Sequence, residues 1–408
     1  MSREPLDRSV VEPTGLTAFA NQDYAGAFGC GMRQEGFDIV GKVEQDDAFG
    51  MDAWLHNSRW LAPNLAVHKS SVASEWPVRQ VDVVYGNPPC SGFSVLTASA
   101  KWQERGQHGA EATQNQNMKD LVDHGIRCGA SVITFESVQA ASSTGRSLMY
   151  ELQNTLEERT RKTWHLTLVL MNALSVGGWP DRRRFFFVAS RKGPVDMPAA
   201  TAWARPLSEA IGDLIDAVSD DPTSPYSITP TPKALRHAAL AASGYWKMGE
   251  PCDVAYERAV AAGWNGPEPD RSDRIRSMFT SARWHWDRPA RVATATVLDT
   301  AVHPTRPRTF THAEVGRIMG FPDDYDLRGI TRLRGKGRAL YGKGIPGQSG
   351  RWLAEGVRRH LLNISLKDDI EPQPLDTTGL RWMIDVTDQW RRNRPPSGEQ
   401  LALFNETA

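Results

Sequence analysis

The first 190 residues alternate short apolar runs with polar or amphipathic stretches. Phe37–Val43, Val81–Tyr85, Ser131–Phe135, Leu166–Leu170 and Phe185–Ala189 are runs of strand length, and they predict buried strands. Between them, Asn117–Cys128 and Ser147–Thr160 carry apolar residues at helical spacing. Strand, helix and strand in this order imply a mostly parallel sheet with helices on both faces, a doubly wound α/β fold. From about residue 191 proline, alanine and tryptophan become frequent, strand alternation fades, and Asp220–Pro232 reads as loop. A helical pattern returns at Gly350–Leu362. The pattern divides the chain into a main domain over 1–192, a smaller inserted unit over 193–285 and a return to the main domain over 286–362. The extension over 363–408 is expected to be partly disordered, above all the polar tail from Trp390.

A chain of 408 residues can bury a full core. No apolar run approaches the roughly 20 residues of a membrane helix, so no membrane partner is expected. The polar N-terminus is unlike a secretory signal. The four cysteines, Cys30, Cys90, Cys128 and Cys252, are widely spaced and form no CxxC pair. That argues against a metal site or a disulfide framework and for a reducing cytoplasm. Net charge is zero, yet Arg271–His360 holds 18 Lys and Arg against 8 Asp and Glu, a surplus of +10. Such a segment suits local contact with phosphates, and it equally suits a helical region laced with ion pairs.

The strongest chemical signal is Val81-Asp-Val-Val-Tyr-Gly-Asn-Pro-Pro-Cys90-Ser-Gly-Phe-Ser94. A buried strand runs into a loop whose two prolines fix the backbone ahead of a cysteine. Sites in open parallel sheets form at the C-terminal ends of strands, where this loop delivers Cys90. A thiolate is a strong nucleophile, and a Pro-Pro before it and small residues after it do little for packing.

Gly86-Asn-Pro-Pro-Cys-Ser-Gly-Phe-Ser94 resembles the nucleophile loop of the DNA (cytosine-5) methyltransferases. Four more blocks follow in that family's order. They are Phe135-Glu136-Ser137-Val138, Trp179-Pro-Asp-Arg182-Arg-Arg184-Phe-Phe-Phe-Val188, the arginine-rich His303–Tyr325 containing GFPD, and Gly342-Lys-Gly-Ile-Pro346. The resemblance spans about 16–362 apart from the middle unit, and five blocks in order are far more specific than any one. It implies a Rossmann-like fold, S-adenosylmethionine as cofactor and double-stranded DNA as substrate for a monomeric enzyme, as in restriction–modification. The middle unit corresponds in position to the target-recognition domain.

In the mechanism that the resemblance implies, Cys90 adds to C6 of a flipped-out cytosine and Glu136 holds or supplies the proton on N3. Arg184 falls at the cytosine O2 and Arg182 beside it. Cofactor contacts fall on Gly26, Gly29, Gly31, Glu44, Pro89 and Lys343, with Glu44 accepting from the ribose hydroxyls. The chain departs from the family pattern at three places. Ser137 and Lys343 replace asparagines, and the aspartate expected near Ser71 is absent. A lysine beside a sulfonium is unfavourable unless an anion lies between them, so Lys343 implies either an outward-facing side chain or a carboxylated donor, carboxy-S-adenosylmethionine. Three other readings compete: an amino-methyltransferase using Asn87-Pro-Pro, a non-catalytic DNA-binding protein on the same fold, and tRNA as the substrate.

Overall fold

The computed structural model describes residues 12–44, 50–61, 66–89, 91–93, 115–228, 232–248, 250, 252–268, 283–291, 301–331 and 337–393. Among them one sheet is built from β1 (Thr17–Asn21), β2 (Asp38–Glu44), β3 (Ala66–Lys69), β4 (Val83–Gly86), β5 (Val132–Ser137), β6 (His165–Asn172), β7 (Arg183–Ser190), β8 (Gln373–Pro374) and β9 (Arg381–Val386). Their order is β3-β2-β1-β4-β5-β7-β6-β9-β8. The first five in that order run parallel, as the alternation of strands and helices implied.

β7 is the exception, antiparallel to both β5 and β6. Only Ala173–Arg182 links β6 to β7. A parallel return needs a crossover of about a dozen residues or more, so a link this short reverses the strand. The reversal brings the start of β7 to the edge where β5 ends, with Ser137 opposite Phe185.

All five strands expected from the apolar runs are present. Their side chains feed both faces. Phe186 and Val188 of β7 join one core, with Val83 and Tyr85, while Phe185, Phe187 and Ala189 join the other, with Val84 and Ile133. Burial on both faces is why these strands read as continuous apolar runs rather than as alternation. Helix α1 (Ala27–Gln34) lies against the helix Gly347–Leu362. A Cβ on Gly31 would come within 2.3 Å of the Arg351 nitrogen, so glycine there permits the close crossing.

The stretch after 362 adds β8 and β9 to the sheet, with β9 parallel to β6 from Leu166 to Met171. Ile384 and Val386 are its buried anchors. The tail beyond residue 393, where disorder was expected above all, lies outside the described residues. Packing also crosses the boundary expected at 193. Val195, Met197, Leu207, Ala210, Ile211 and Trp284 all pack into the main core. A separate core is built from Leu240, Ala241, Trp246, Cys252, Ala255, Ala259 and Val302. The inserted unit is therefore narrower than its composition implied.

Candidate active site

The C-terminal ends of β1, β2, β4 and β5 and the start of β7 share one edge of the sheet. Ligands of open α/β sheets bind at that edge. The chain leaving β1 turns sharply, with positive φ at Gln22 (53°), Tyr24 (46°) and Gly26 (91°). Two non-glycine residues in the left-handed region are the kind of strain that functional loops hold. Asp23 fixes this loop. Its Oδ2 accepts from the Gly29 N–H at 2.7 Å and its Oδ1 from the Asn87 side-chain amide at 3.2 Å, tying the loop after β1 to the loop after β4.

The three glycines expected to approach the cofactor have different roles. Gly26 supplies the left-handed turn into α1, where a Cβ would come 2.8 Å from Tyr325 Oη. Gly29 makes room for Trp54 and for Asp23 Oδ2, both under 3 Å from an added Cβ. Gly31 packs against the Gly347–Leu362 helix, so the structure gives it a packing reason in place of the expected cofactor contact.

Glu44 ends β2 as expected, but it is fully buried and paired with Lys42, whose Nζ lies 2.6 Å from Glu44 Oε1. Lys42 is itself fully buried, 4.4 Å above the Trp54 ring of helix α2 (Met51–Leu61). Burial raises the Glu44 carboxyl to about 7 against the pull of Lys42, with the Asp23 charge adding to the rise. Burial raises Asp23 to about 7 as well, opposed by Lys42 and by the N–H groups of Gly29 and Phe28. Asp23, Lys42 and Trp54 were not identified from the sequence. The available signal was Lys42 and Glu44 two apart on one face of an otherwise apolar strand.

These residues fit a nucleoside cofactor. Glu44 Oε2, Trp54 Nε1 and Asn87 Oδ1 are buried and have no hydrogen-bond partner among the described residues. Unpaired buried groups of this kind are costly unless a ligand satisfies them. If ribose hydroxyls donate to the Glu44 carboxylate, binding lowers its pKa below 7. Affinity for S-adenosylhomocysteine should then be flat above about pH 7.5 and fall on acidification through 7, by up to about tenfold per pH unit for one proton. Calorimetric titration between about pH 5.5 and 8.5 checks this, and a flat profile contradicts it.

On the catalytic side, Gly86 pairs with Phe135, so Asn87–Pro89 leave the sheet beside Glu136, which is still paired with Phe186 of β7. Pro89 is half-buried, and Cys90 lies outside the described residues. Glu136 is buried and forms an ion pair with Arg184 Nε. Burial raises the Glu136 carboxyl, with Arg184 and then Arg182 opposing the rise. Ser137 is fully buried, and its Oγ has no hydrogen-bond partner among the described residues.

Arg182 departs from expectation. It is fully buried, and its Nη2 donates to the carbonyls of Gly342 and Gly344 at 2.7 Å each. It braces the backbone on both sides of Lys343 and stays near enough to Glu136 to act on its charge. Lys343 closes the helix Gly337–Lys343, is exposed, and carries its Nζ 5.9 Å from the centre of the Tyr24 ring, over the loop after β1.

Part of the charge of Arg271–His360 is met within the fold. Arg306 pairs with Asp216, Arg308 with Glu314, Arg317 with Asp213 and Asp323, and Arg328 with Asp326. Arg351 and Arg358 both pair with Glu35, and Arg359 with Glu355 and Asp369. The ion-paired alternative thus holds for these seven, while Arg332, Arg334 and Lys336 lie outside the described residues. Among the described residues no helix is long and apolar enough to cross a membrane. Cys30, Cys128 and Cys252 are buried free thiols.

A strand-end glutamate paired with an arginine, beside a Pro-Pro-Cys loop and a nucleoside-sized set of unmet polar groups, belongs to enzymes that transfer a group onto a base. The chain belongs to the C-5 cytosine-specific DNA methylases, whose family model matches residues 22–357. It is a transferase of that family, which uses S-adenosylmethionine and acts on DNA. Among similar proteins, Type II methyltransferase M.DdeI of Desulfomicrobium norvegicum is 22% identical over 384 residues, covering 84% of this chain and 89% of the relative. Type II methyltransferase M1.BsuMI of Bacillus subtilis is 22% identical over 319 residues, 75% of this chain and 68% of the relative. The fold resembles that of the Entamoeba histolytica methyltransferase EhMeth, with TM-score 0.53 and 9% identity over 86% of this chain and 99% of that one.

Proposed function

We propose that the enzyme transfers a methyl group to C5 of a flipped-out cytosine in double-stranded DNA through a covalent adduct between Cys90 and C6. The observation that carries this reading is the buried Glu136–Arg184 pair at the strand ends beside Asn87–Pro89. Attack at C6 pushes electron density into the ring, and a carboxyl whose hold on a proton is strengthened by burial can share a proton with N3 as that charge develops. Arg184 holds the glutamate and presents its remaining donors to the base O2. Bound S-adenosylmethionine supplies the electrophilic methyl group. Glu44 holds the ribose, Gly26 shapes the turn beneath the cofactor, and Pro89 fixes the approach of Cys90.

The enzyme acts as a monomer in a bacterial cytoplasm, as the modifying partner of a restriction–modification pair, with the inserted unit reading the target. Nucleoside mass spectrometry of DNA and tRNA from cells expressing the protein tests the substrate. 5-Methylcytosine is expected in DNA, and its appearance in tRNA alone would overturn the reading.

A second reading concerns the donor. Lys343 places a cation over the loop after β1, on backbone that Arg182 braces. A cation there opposes a sulfonium but pairs with a carboxylate, which favours carboxy-S-adenosylmethionine and a carboxymethyl product. A charge-assisted hydrogen bond of roughly 1.5–3 kcal/mol corresponds to about a ten- to hundredfold preference. Lys343→Asn should weaken use of the carboxylated donor by that factor and improve use of the plain one, read by nucleoside mass with both donors in competition. Only 5-methylcytosine from the parent, unchanged in Lys343→Asn, returns the enzyme to plain methyl transfer.

A further inference from the structure

We propose that Lys42 is a positioning residue for the cofactor, holding one oxygen of Glu44 so that the other, Oε2, is oriented toward and available to the ribose hydroxyls. The inference rests on the reading of Glu44 as the ribose acceptor. A lysine is almost never fully buried unless paired, and Lys42 sits on β2, an inner strand between β1 and β3. Its Nζ bonds Glu44 Oε1 at 2.6 Å and lies above Trp54, while Glu44 Oε2 has no partner among the described residues.

Stability does not explain this arrangement. A buried ion pair is commonly matched or exceeded in stability by well-packed apolar residues, so its presence at a strand end in the cofactor edge calls for another reason. Geometry supplies one. A glutamate in a dry site tends to protonate and then offers a poorer acceptor to a hydroxyl. The adjacent ammonium, with the Tyr24 N–H, opposes that rise and orients the carboxylate, leaving Oε2 without a partner among the described residues. Asp23, the other acid of this cluster, is already committed to the Gly29 N–H and the Asn87 amide, so it does not replace Glu44 as acceptor.

The test compares S-adenosylhomocysteine with its 2′,3′-dideoxy analogue by calorimetry in the parent, Lys42→Met, Lys42→Gln and Glu44→Gln. The parent should prefer the hydroxylated ligand by about tenfold or more, as expected for a hydrogen bond to a charged acceptor. Glu44→Gln and Lys42→Met should both shrink that preference to within about threefold, and Lys42→Gln, which keeps an N–H donor, should restore part of it. A full preference in Lys42→Met with loss in Glu44→Gln overturns the role of Lys42 and leaves Glu44 as the ribose residue. A full preference in Glu44→Gln overturns the ribose reading itself.

A measurement on the parent guards against variants that fail to fold. The protected ammonium resonance of a buried lysine, followed in 15N-lysine-labelled protein, should move with S-adenosylhomocysteine and stay in place with the dideoxy analogue. No movement with either ligand, or equal movement with both, contradicts the proposal.

Discussion

Replacing Cys90 by serine should lower group transfer by at least about three orders of magnitude while leaving the fold and DNA binding intact. The substitution changes one atom. A hydroxyl is far less nucleophilic than a thiolate at neutral pH, and no general base in this reading serves to activate it. The loop that presents residue 90 is fixed by Pro88 and Pro89 and by Asn87, whose amide is tied to Asp23, and none of these depends on the sulfur. Single-turnover transfer to duplex DNA and a filter-binding isotherm on the same oligonucleotide separate chemistry from binding. A Cys90→Ser protein that still modifies cytosine at a tenth of the parent rate would remove the covalent mechanism.

Glu136→Gln should slow the chemical step by about two to four orders of magnitude, the usual effect of losing a general acid or base. The amide is close in size, so packing between β5 and β7 is preserved, but it cannot carry a transferable proton and leaves Arg184 without its carboxylate. Cofactor affinity should hardly change, because the unmet cofactor-side groups belong to β2, α2 and the loop after β4. Rapid-quench single-turnover rates alongside calorimetry of S-adenosylhomocysteine make the distinction. Collapse of cofactor binding with a preserved chemical rate would give Glu136 a different role.

Much of this was legible from apolar runs and motif order. The five buried strands expected from the sequence contain enough branched and aromatic residues to announce themselves, as Phe185–Ala189 does. β1 is Thr-Ala-Phe-Ala-Asn, short and alanine-rich, and it is a strand because it lies between β2 and β4 rather than by propensity. β9 was hidden because only two of its six positions are buried and it follows a polar stretch, so its pairing with β6 is a long-range choice. The direction of β7 depended on the length of its link to β6, a quantity that periodicity does not weigh.

The site was readable as residue types but not as a division of labour. Glu136 and Arg184 came together, while Arg182, which precedes the strand, turned inward to the carbonyls of Gly342 and Gly344. Gly29 and Gly31 answer to Trp54, Asp23 and a crossing helix, neighbours remote in sequence or hidden by it. Nothing in the local sequence marks Lys42 as buried, since only the strand order places it inside the sheet.

The most direct measurement of the central claim is covalent trapping. The parent protein is incubated with S-adenosylmethionine and a duplex carrying 5-fluorocytosine, in parallel with an RNA of the same sequence, and each product is weighed intact. Fluorine at C5 blocks the proton loss that would release the enzyme, so the reading predicts a stable protein–DNA adduct one methyl group heavier than its parts. The adduct should map to Cys90 and be absent from Cys90→Ser and from the RNA reaction. Methylation of unmodified duplex without any trapped adduct, or an adduct formed with RNA and not with DNA, would contradict the account.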